Sequence, residues 1–131
     1  MTTTTALTVT DVADVLDKAA TVIESNGLHK GSLYRKQRGK ARRRCAVCAQ
    51  GALNIAATGS PLTPSEEAVD PGHPNVVGWH FALVISANQA LTYYAGIEDV
   101  PAWSDAPERT ASDVVTAFRA VEDALRKEVA A

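Results

Sequence analysis

The first stretch of the chain carries apolar residues at helical spacing, with polar residues on the opposite face. These apolar positions recur every three or four residues: Val9, Val12, Val15, Leu16, Ala19, Ala20 and Ile23. Thr8 or Thr10 can cap the N-terminus of such a helix, and Asn26-Gly27 supplies a stop. The pattern predicts an amphipathic helix over about residues 10–26, preceded by a disordered N-terminus at 1–8.

Three later segments also predict helices. Residues 44–58 are apolar on nearly all sides, which is typical of a buried central helix. Residues 79–94 begin with a strand-like alternation, but their alanines and the stop at Gly96 favour a helix. Residues 110–129 place one apolar stripe behind a capping box formed by Thr110 and Asp113.

The remaining segments complete the predicted fold. A capping threonine and a first-turn proline indicate a short helix over 61–67, and the prolines of 97–108 indicate a connector. We therefore expect residues 1–131 to form a single all-α domain, a compact bundle of four main helices plus one short helix, with a basic loop between helices 1 and 2. The apolar second helix is covered either by the chain's own helices or by a second subunit.

Basic residues are concentrated in that loop. Eight of the thirteen Lys and Arg lie there, and no Asp or Glu occurs from 25 to 65: Lys30, Arg35, Lys36, Arg38, Lys40, Arg42, Arg43 and Arg44. The rest of the chain carries five basic against fifteen acidic residues, about −10, although the formal net charge of the whole is only −2. Residues 28–44 also lack apolar periodicity, so we predict an exposed loop that is mobile unless a partner binds it.

The charge of the loop indicates three alternative roles. Lys and Arg that neutralise phosphates release condensed counterions, so nucleic acid is one candidate partner, and Tyr34 could add base stacking. An acidic protein surface, or the chain's own acidic body, is a second. Plain solvation of the loop is the third.

Cys45 and Cys48 form a Cys-x-x-Cys pair whose simplest interpretation is core packing. A zinc site would need further ligands, and the histidines available for it (His29, His73 and His80) lack the usual paired spacing. A reactive thiol is the other alternative, because Arg42, Arg43 and Arg44 beside Cys45 would favour its thiolate.

Residues 103–110 form the most distinctive local sequence. They indicate a helix entry in which Trp103 packs on the core, Asp105 makes an Asx turn and Arg109 pairs with a carboxylate. The alternative is that Trp103, Asp105 and Arg109 line a surface that recognises a protein partner, since Trp and Arg are common in such surfaces.

The sequence also argues against several classes of protein. The start of the chain has no positively charged region of the kind that opens a signal peptide, so we expect a cytoplasmic protein. The longest apolar run, 76–85, is far shorter than the roughly 20 residues that span a bilayer. No phosphate-binding glycine loop, nucleophile elbow or HExxH motif occurs, so we expect neither an enzyme nor a cofactor.

Two motifs resemble a known family. Cys48-Ala49-Gln50-Gly51-Ala52-Leu53 is similar to its Cys-x-x-Gly-Ala-Leu pattern. Trp103-Ser104-Asp105, followed by Arg109-Thr110, is similar to its Trp-Asn-Asp and Arg-Thr patterns. The family comprises small bacterial and bacteriophage proteins that share a domain of unknown function, and the resemblance covers the first helix, 48–58 and 97–126. It implies a compact helical fold and a phage or host-interaction context, without implying an activity.

This chain departs from the family pattern at two places. Ser104 stands where asparagine is usual, and residues 35–44 are unusually rich in arginine. Our leading hypothesis is a non-enzymatic binding protein whose basic loop contacts nucleic acid or an acidic protein. The alternative hypotheses are a phage-type adaptor or inhibitor that recognises a host or defence protein through the Trp103 loop, and a protein that uses Cys45 and Cys48 for thiol chemistry or zinc.

Overall fold

The structure, a computed structural model, describes residues 7–62 and 76–131, and within these ranges the fold is all-α as predicted. It contains four helices of ten or more residues and one short helix: α1 (Val9–Asn26), α2 (Ala49–Thr58), α3 (Phe81–Ala95), α4 (Val100–Asp105) and α5 (Ala111–Ala130). A single 3₁₀ turn, Arg42–Arg44, precedes α2, and a π-helical turn, Val76–His80, leads into α3. Neither range contains a helix that is long and apolar enough to cross a membrane.

The core lies between α1 and α5, which make the most extensive helix pair, with α2 and α3 packed against them. The apolar stripe of α1 is buried along its length, as its spacing predicts. Phe118 of α5 and Leu16 of α1 are completely buried and are the largest side chains at this pairing. Each helix is apolar on the face that meets the other, and burial of these two faces stabilises the fold.

Capping residues define both ends of the main pair. Thr8 and Asp11 form a capping box at the start of α1, and Thr110 and Asp113 form the predicted one at the start of α5. Thr8 is therefore ordered as a cap, whereas residues 1–6 lie outside the described part of the chain. These boxes satisfy backbone N–H groups that have no acceptor within the first turn.

The prediction that α2 begins at residue 44 is wrong by about one turn. Residues 45–48 are extended, and Val47 forms isolated bridges with Leu28 and Tyr34 before α2 begins at Ala49. The backbone groups of this segment form hydrogen bonds with residues 27–29: Val47 N–H donates to Gly27 O, and His29 N–H donates to Val47 O. Apolar composition alone did not distinguish a buried extended segment from a buried helix.

The connector predicted at 97–108 contains the short helix α4 (Val100–Asp105). Asp99 caps α4 through its side chain, and Pro101 occupies the first turn, where its missing N–H costs nothing. Of the two prolines that indicated a connector, Pro101 thus marks a helix start and Pro107 lies in the turn after α4. The other short helix, predicted over 61–67, lies mostly outside the described residues.

Candidate nucleic-acid interface

The basic arm, residues 35–44, is a loop whose two ends are held together. Tyr34 and Val47 form an antiparallel bridge below it, and Arg35 N–H donates to Ala46 O at 2.8 Å. The chain reverses at Gln37–Lys40, where Lys40 N–H donates to Gln37 O and Gly39 has a φ of +78°. Glycine fits this position because the left-handed region is costly for residues with a Cβ. The arm is therefore a hairpin-like loop with a rising limb, 35–38, and a returning limb, 40–44.

The returning limb is fixed to the end of α1. The side-chain amide of Asn26 donates to Arg43 O at 2.8 Å and to Cys45 O at 3.0 Å. Arg44 N–H and Cys45 N–H close the 3₁₀ turn on Ala41 O and Arg42 O. This limb therefore has a defined backbone, whereas the lack of apolar periodicity had predicted a mobile loop.

Below the arm, the chain crosses α2 in direct contact with Gly51. Cys48 N–H donates to Leu33 O at 3.1 Å, and a Cβ at position 51 would lie only 2.2 Å from the same oxygen. Gly51 thus allows the segment below the arm to lie directly on the helix. The lack of a side chain at position 51 therefore accommodates the backbone of the loop.

The segment before the arm is joined to the loop after α4. The Lys30 ammonium donates to the carbonyl oxygens of Ala106 and Pro107 at 2.6 and 3.0 Å, and Gly31 N–H donates to Asp105 Oδ1 at 3.0 Å. Lys30 was predicted to be part of the binding surface, but its ammonium group instead connects this segment to the loop after α4. The two distinctive segments of the sequence, the basic loop and the Trp103 loop, are therefore in contact.

Within residues 7–62 and 76–131, six exposed cationic side chains of the arm make no ion pair or hydrogen bond through their charged groups: Arg35, Lys36, Arg38, Lys40, Arg43 and Arg44. Arg42 is also exposed and does have a contact. No carboxylate lies in the arm itself, so these charges repel one another and add to a single positive field. The arrangement is suited to an anionic partner.

The chain matches the model of DUF6197, a family of unknown function, over residues 7–124. It belongs to that family. No curated protein and no solved structure matches the chain. The family model extends over α1, the basic arm, α2 to α4 and most of α5, so in this DUF6197 protein the arm is part of the matched domain and not an appendage beyond it.

The side chains predicted to form a partner surface have contacts within this DUF6197 chain. The Arg109 guanidinium stacks over the Trp103 ring at 4.3 Å, and its Nε donates to Trp103 O. Asp105 accepts from Gly31 as described above, in place of the predicted Asx turn. Trp103 is half-buried against the core, as the packing interpretation predicts. Arg109 stacks on an aromatic ring where a carboxylate partner had been expected.

Ser104 is the residue of this loop that the fold uses most directly. Its side chain is completely buried, and its Oγ accepts from Ala49 N–H at 2.9 Å. Ala49 is the first residue of α2, where a backbone N–H has no acceptor within the helix. The Ser104 hydroxyl thus satisfies a buried donor at the start of α2.

Cys45 and Cys48 are both buried free thiols. Cys48 caps α2 by accepting from Gly51 N–H, and burial raises the pKa of its thiol above the ordinary value. The Cys45 thiol donates to Ala41 O at 3.4 Å, so both thiols have contacts within the fold. Within 7–62 and 76–131, no cluster of three or more His, Cys, Asp or Glu could hold a metal ion. His73 lies outside these ranges.

A cavity of about 230 Å³ lies beside α1 and α2 at the start of α3. The ring nitrogens Trp79 Nε1 and His80 Nδ1 are buried near it without a hydrogen-bond partner in the described ranges. The carboxylates on its rim already serve the fold, because Asp11 belongs to the capping box of α1 and Asp14 pairs with Arg126. Among the described residues that line the cavity, none is Ser, Thr or Cys.

Three residues that shape the arm were not identified from the sequence. Asn26 was interpreted only as part of a helix stop, Ser104 only as a departure from a family motif, and Leu33 was not singled out. Each acts through hydrogen bonds between segments that are distant along the chain, and such bonds leave no local periodicity. The only sequence signal was indirect: a glycine inside an apolar helix, Gly51, is typical of close backbone approach.

Proposed function

We propose that this DUF6197 protein binds nucleic acid through the phosphate groups, using the cations of the basic arm. The observation that carries the proposal is the set of six exposed, unpaired cations on a backbone that the fold holds in place. Binding would release counterions condensed on the phosphates, and the resulting affinity would fall steeply with salt. The proposal includes a cytoplasmic location, and the bacterial or phage setting implied by the motifs belongs to it.

The rest of the molecule supports an outside partner over the chain's own carboxylates. Arg119 of α5 pairs with Asp17 and Glu24 of α1, and Arg126 pairs with Asp14. Much of the acidic face of α1 is therefore already neutralised by α5. Among the described ion pairs, none joins that face to the arm.

An acidic protein surface offers carboxylates in place of phosphates and is the main competing partner. Phosphates are favoured because the cations are closely spaced along one short arm, and a nucleic acid presents a regular, dense row of charges to such a surface. A partner surface centred on Trp103 is less supported, since Trp103, Asp105 and Arg109 already have contacts within the chain. Thiol or zinc chemistry at Cys45 and Cys48 is disfavoured by their burial and their extended backbone.

The test is binding of fluorescent RNA and DNA oligonucleotides to the purified chain at low salt, followed by anisotropy. The informative variant changes the six unpaired cations to glutamine: Arg35, Lys36, Arg38, Lys40, Arg43 and Arg44. We expect the wild-type chain to bind with a Kd of micromolar order, and the variant to bind at least about 100-fold more weakly. Circular dichroism should show that the variant keeps its helices, because its changes are on the surface.

A matched control separates the arm from general charge. Lys18→Gln with Lys127→Gln removes two exposed cations from α1 and α5, and Arg43→Gln with Arg44→Gln removes two from the arm. Both double variants change the net charge equally. If the two weaken binding to the same extent, or if the wild-type chain binds no nucleic acid at low salt, the proposal is wrong.

A further inference from the structure

We infer that the nucleic acid gripped by the basic arm is double-stranded and is recognised by its phosphate backbones without base stacking. The inference rests on the proposed function and narrows its partner. Three features of the arm lead to it: the position of its one aromatic ring, the distribution of its cations over two limbs, and the fixed backbone at its base.

The aromatic ring next to the arm is partly buried, which limits the ring surface that it offers for stacking. Single-stranded nucleic acids are generally bound by aromatic side chains on which unpaired bases stack. Tyr34 is half-buried and packs against the core, and its backbone is held in the bridge to Val47. Residues 35–44 contain no other aromatic residue. A single strand would therefore find cations here but no platform for its bases.

The cations occur on both limbs of the hairpin-like loop. Arg35, Lys36 and Arg38 belong to the rising limb, whereas Lys40, Arg43 and Arg44 belong to the returning limb. The antiparallel bridge at Tyr34 and Val47 places the two limbs side by side at their base, about 5 Å apart. A duplex presents two phosphate backbones on either side of a groove, so one limb can contact each backbone. A single strand presents only one row of phosphates.

The base of the arm is preorganised. Asn26 holds the returning limb through two carbonyl groups, and Leu33 O accepts from Cys48 N–H directly over Gly51. A preformed site gains affinity when its ligand is also stiff, because neither partner then loses much conformational freedom on binding. A duplex is stiff over the length of this arm, with a persistence length of about 150 base pairs, whereas a single strand must be ordered as it binds.

The experiment compares duplexes of about 20 base pairs with single strands of the same length, each made as RNA and as DNA, over a range of salt concentrations. We expect duplex to bind at least about tenfold more tightly than single strand. For duplex DNA, six neutralised phosphates predict a slope of log K against log salt of about −5. Comparison of the RNA duplex with the DNA duplex shows which kind of duplex the chain prefers.

Variants of each limb test the two-limbed contact. Arg35→Gln with Lys36→Gln and Arg43→Gln with Arg44→Gln should each reduce the magnitude of the duplex slope by about 2. Lys18→Gln with Lys127→Gln should leave it unchanged. A slope that responds to one limb only would overturn the two-limbed contact, even if the protein binds duplex.

The outcomes separate this inference from the proposed function. Single strand binding as tightly as duplex, or more tightly, with loss in the arm variants, would overturn the duplex inference and leave the nucleic-acid function standing. Failure of every oligonucleotide to bind, with arm-dependent binding of polyglutamate as the acidic probe, would overturn both.

Discussion

The arginines of this protein occur in two contrasting settings. At the seam between α1 and α5, Arg119 and Arg126 each reach carboxylates on both helices, with N–O distances of 2.6 to 3.6 Å. In the basic arm, Arg35, Arg38, Arg43 and Arg44 are exposed and have no such partner among the residues that the structure describes. Arg119 and Arg126 join two helices through their charges. The backbone of the arm is instead held by contacts that do not involve the charges of its arginines.

This difference shows how the fold separates stability from binding. The backbone of the arm is held by Asn26, by the bridge to Val47 and by the close contact over Gly51. The charged groups contribute nothing to that framework in the described ranges, so they can be exchanged without disturbing it. The two settings therefore predict opposite responses to mutation: loss of stability at the framework and loss of binding at the arm.

The largest effect on stability is expected for Gly51→Ala. The new Cβ would lie 2.2 Å from Leu33 O and 3.1 Å from Val47 Cβ, and a backbone oxygen cannot move aside without breaking its bond from Cys48 N–H. Alanine normally stabilises a helix by about 1 kcal/mol relative to glycine, but overpacking of this kind costs about 3 kcal/mol. We expect a net loss of about 2 kcal/mol or more in the free energy of unfolding, measured with urea.

Gly78→Ala is the matched control for that change. A Cβ at position 78 meets no atom of the described residues within 4 Å, and Gly78 does not have a positive φ. Its effect should remain within about 0.5 kcal/mol. Equal losses at positions 51 and 78 would contradict the close approach of the chain below the arm to α2.

Ser104→Ala should produce the next largest effect. Removal of Oγ leaves Ala49 N–H buried at the start of α2 without an acceptor, and an unsatisfied buried donor costs about 2 kcal/mol. Urea unfolding checks this value, with Ser112→Ala on exposed helix surface as the control. A stability loss as small as that of the control would show that Ser104 does not hold α2 to the Trp103 loop.

A smaller effect on stability is expected when one arginine of the α1–α5 seam and one arginine of the arm are each changed to glutamine. Arg119→Gln breaks contacts with three carboxylates, and we expect a loss of about 1 kcal/mol, since these groups are partly exposed to solvent. Arg43→Gln should change stability by less than about 0.5 kcal/mol. High salt should reduce the difference between the variants. A greater loss for Arg43 would mean that the arm's charges do support the fold.

The last prediction concerns the chemical reactivity of the thiols. Burial raises the pKa of Cys48, so its reactive thiolate is scarcer at neutral pH than that of an ordinary cysteine and becomes more abundant as pH rises. Iodoacetamide should therefore modify Cys48 at least about tenfold more slowly in the folded protein than in urea at pH 7. Rapid alkylation of the folded chain would instead favour activation of the thiols by the neighbouring arginines.

The sequence was sufficient to predict the elements whose stabilisation is local or periodic. The apolar stripes of α1 and α5 and the capping box of Thr110 and Asp113 specify these helices through contacts three or four residues apart. The start of α2 was misplaced because Val47, buried and extended, has the same apolar neighbourhood as the helix that follows it. Its conformation is decided by Leu28 and Tyr34, which lie far away along the chain.

The candidate site divides in the same way. The cations of the arm were evident from composition, because charge clustering is a property of the sequence itself. The hydrogen bonds from Lys30 to Ala106 O and Pro107 O were not evident from the sequence, because they link residues more than seventy positions apart. Sequence thus identified which charges are present, and the tertiary structure decided which of them remain unpaired.

The most direct test of the separation between framework and arm is a nitrogen-15 NMR titration of the folded chain with a short nucleic-acid duplex at low salt. We expect amide shift changes to be concentrated at residues 35–44 and their immediate neighbours, with the signals of the α1–α5 seam unchanged and the effect abolished by high salt. Shift changes centred on α3 or on the seam, with the arm unaffected, would contradict the account.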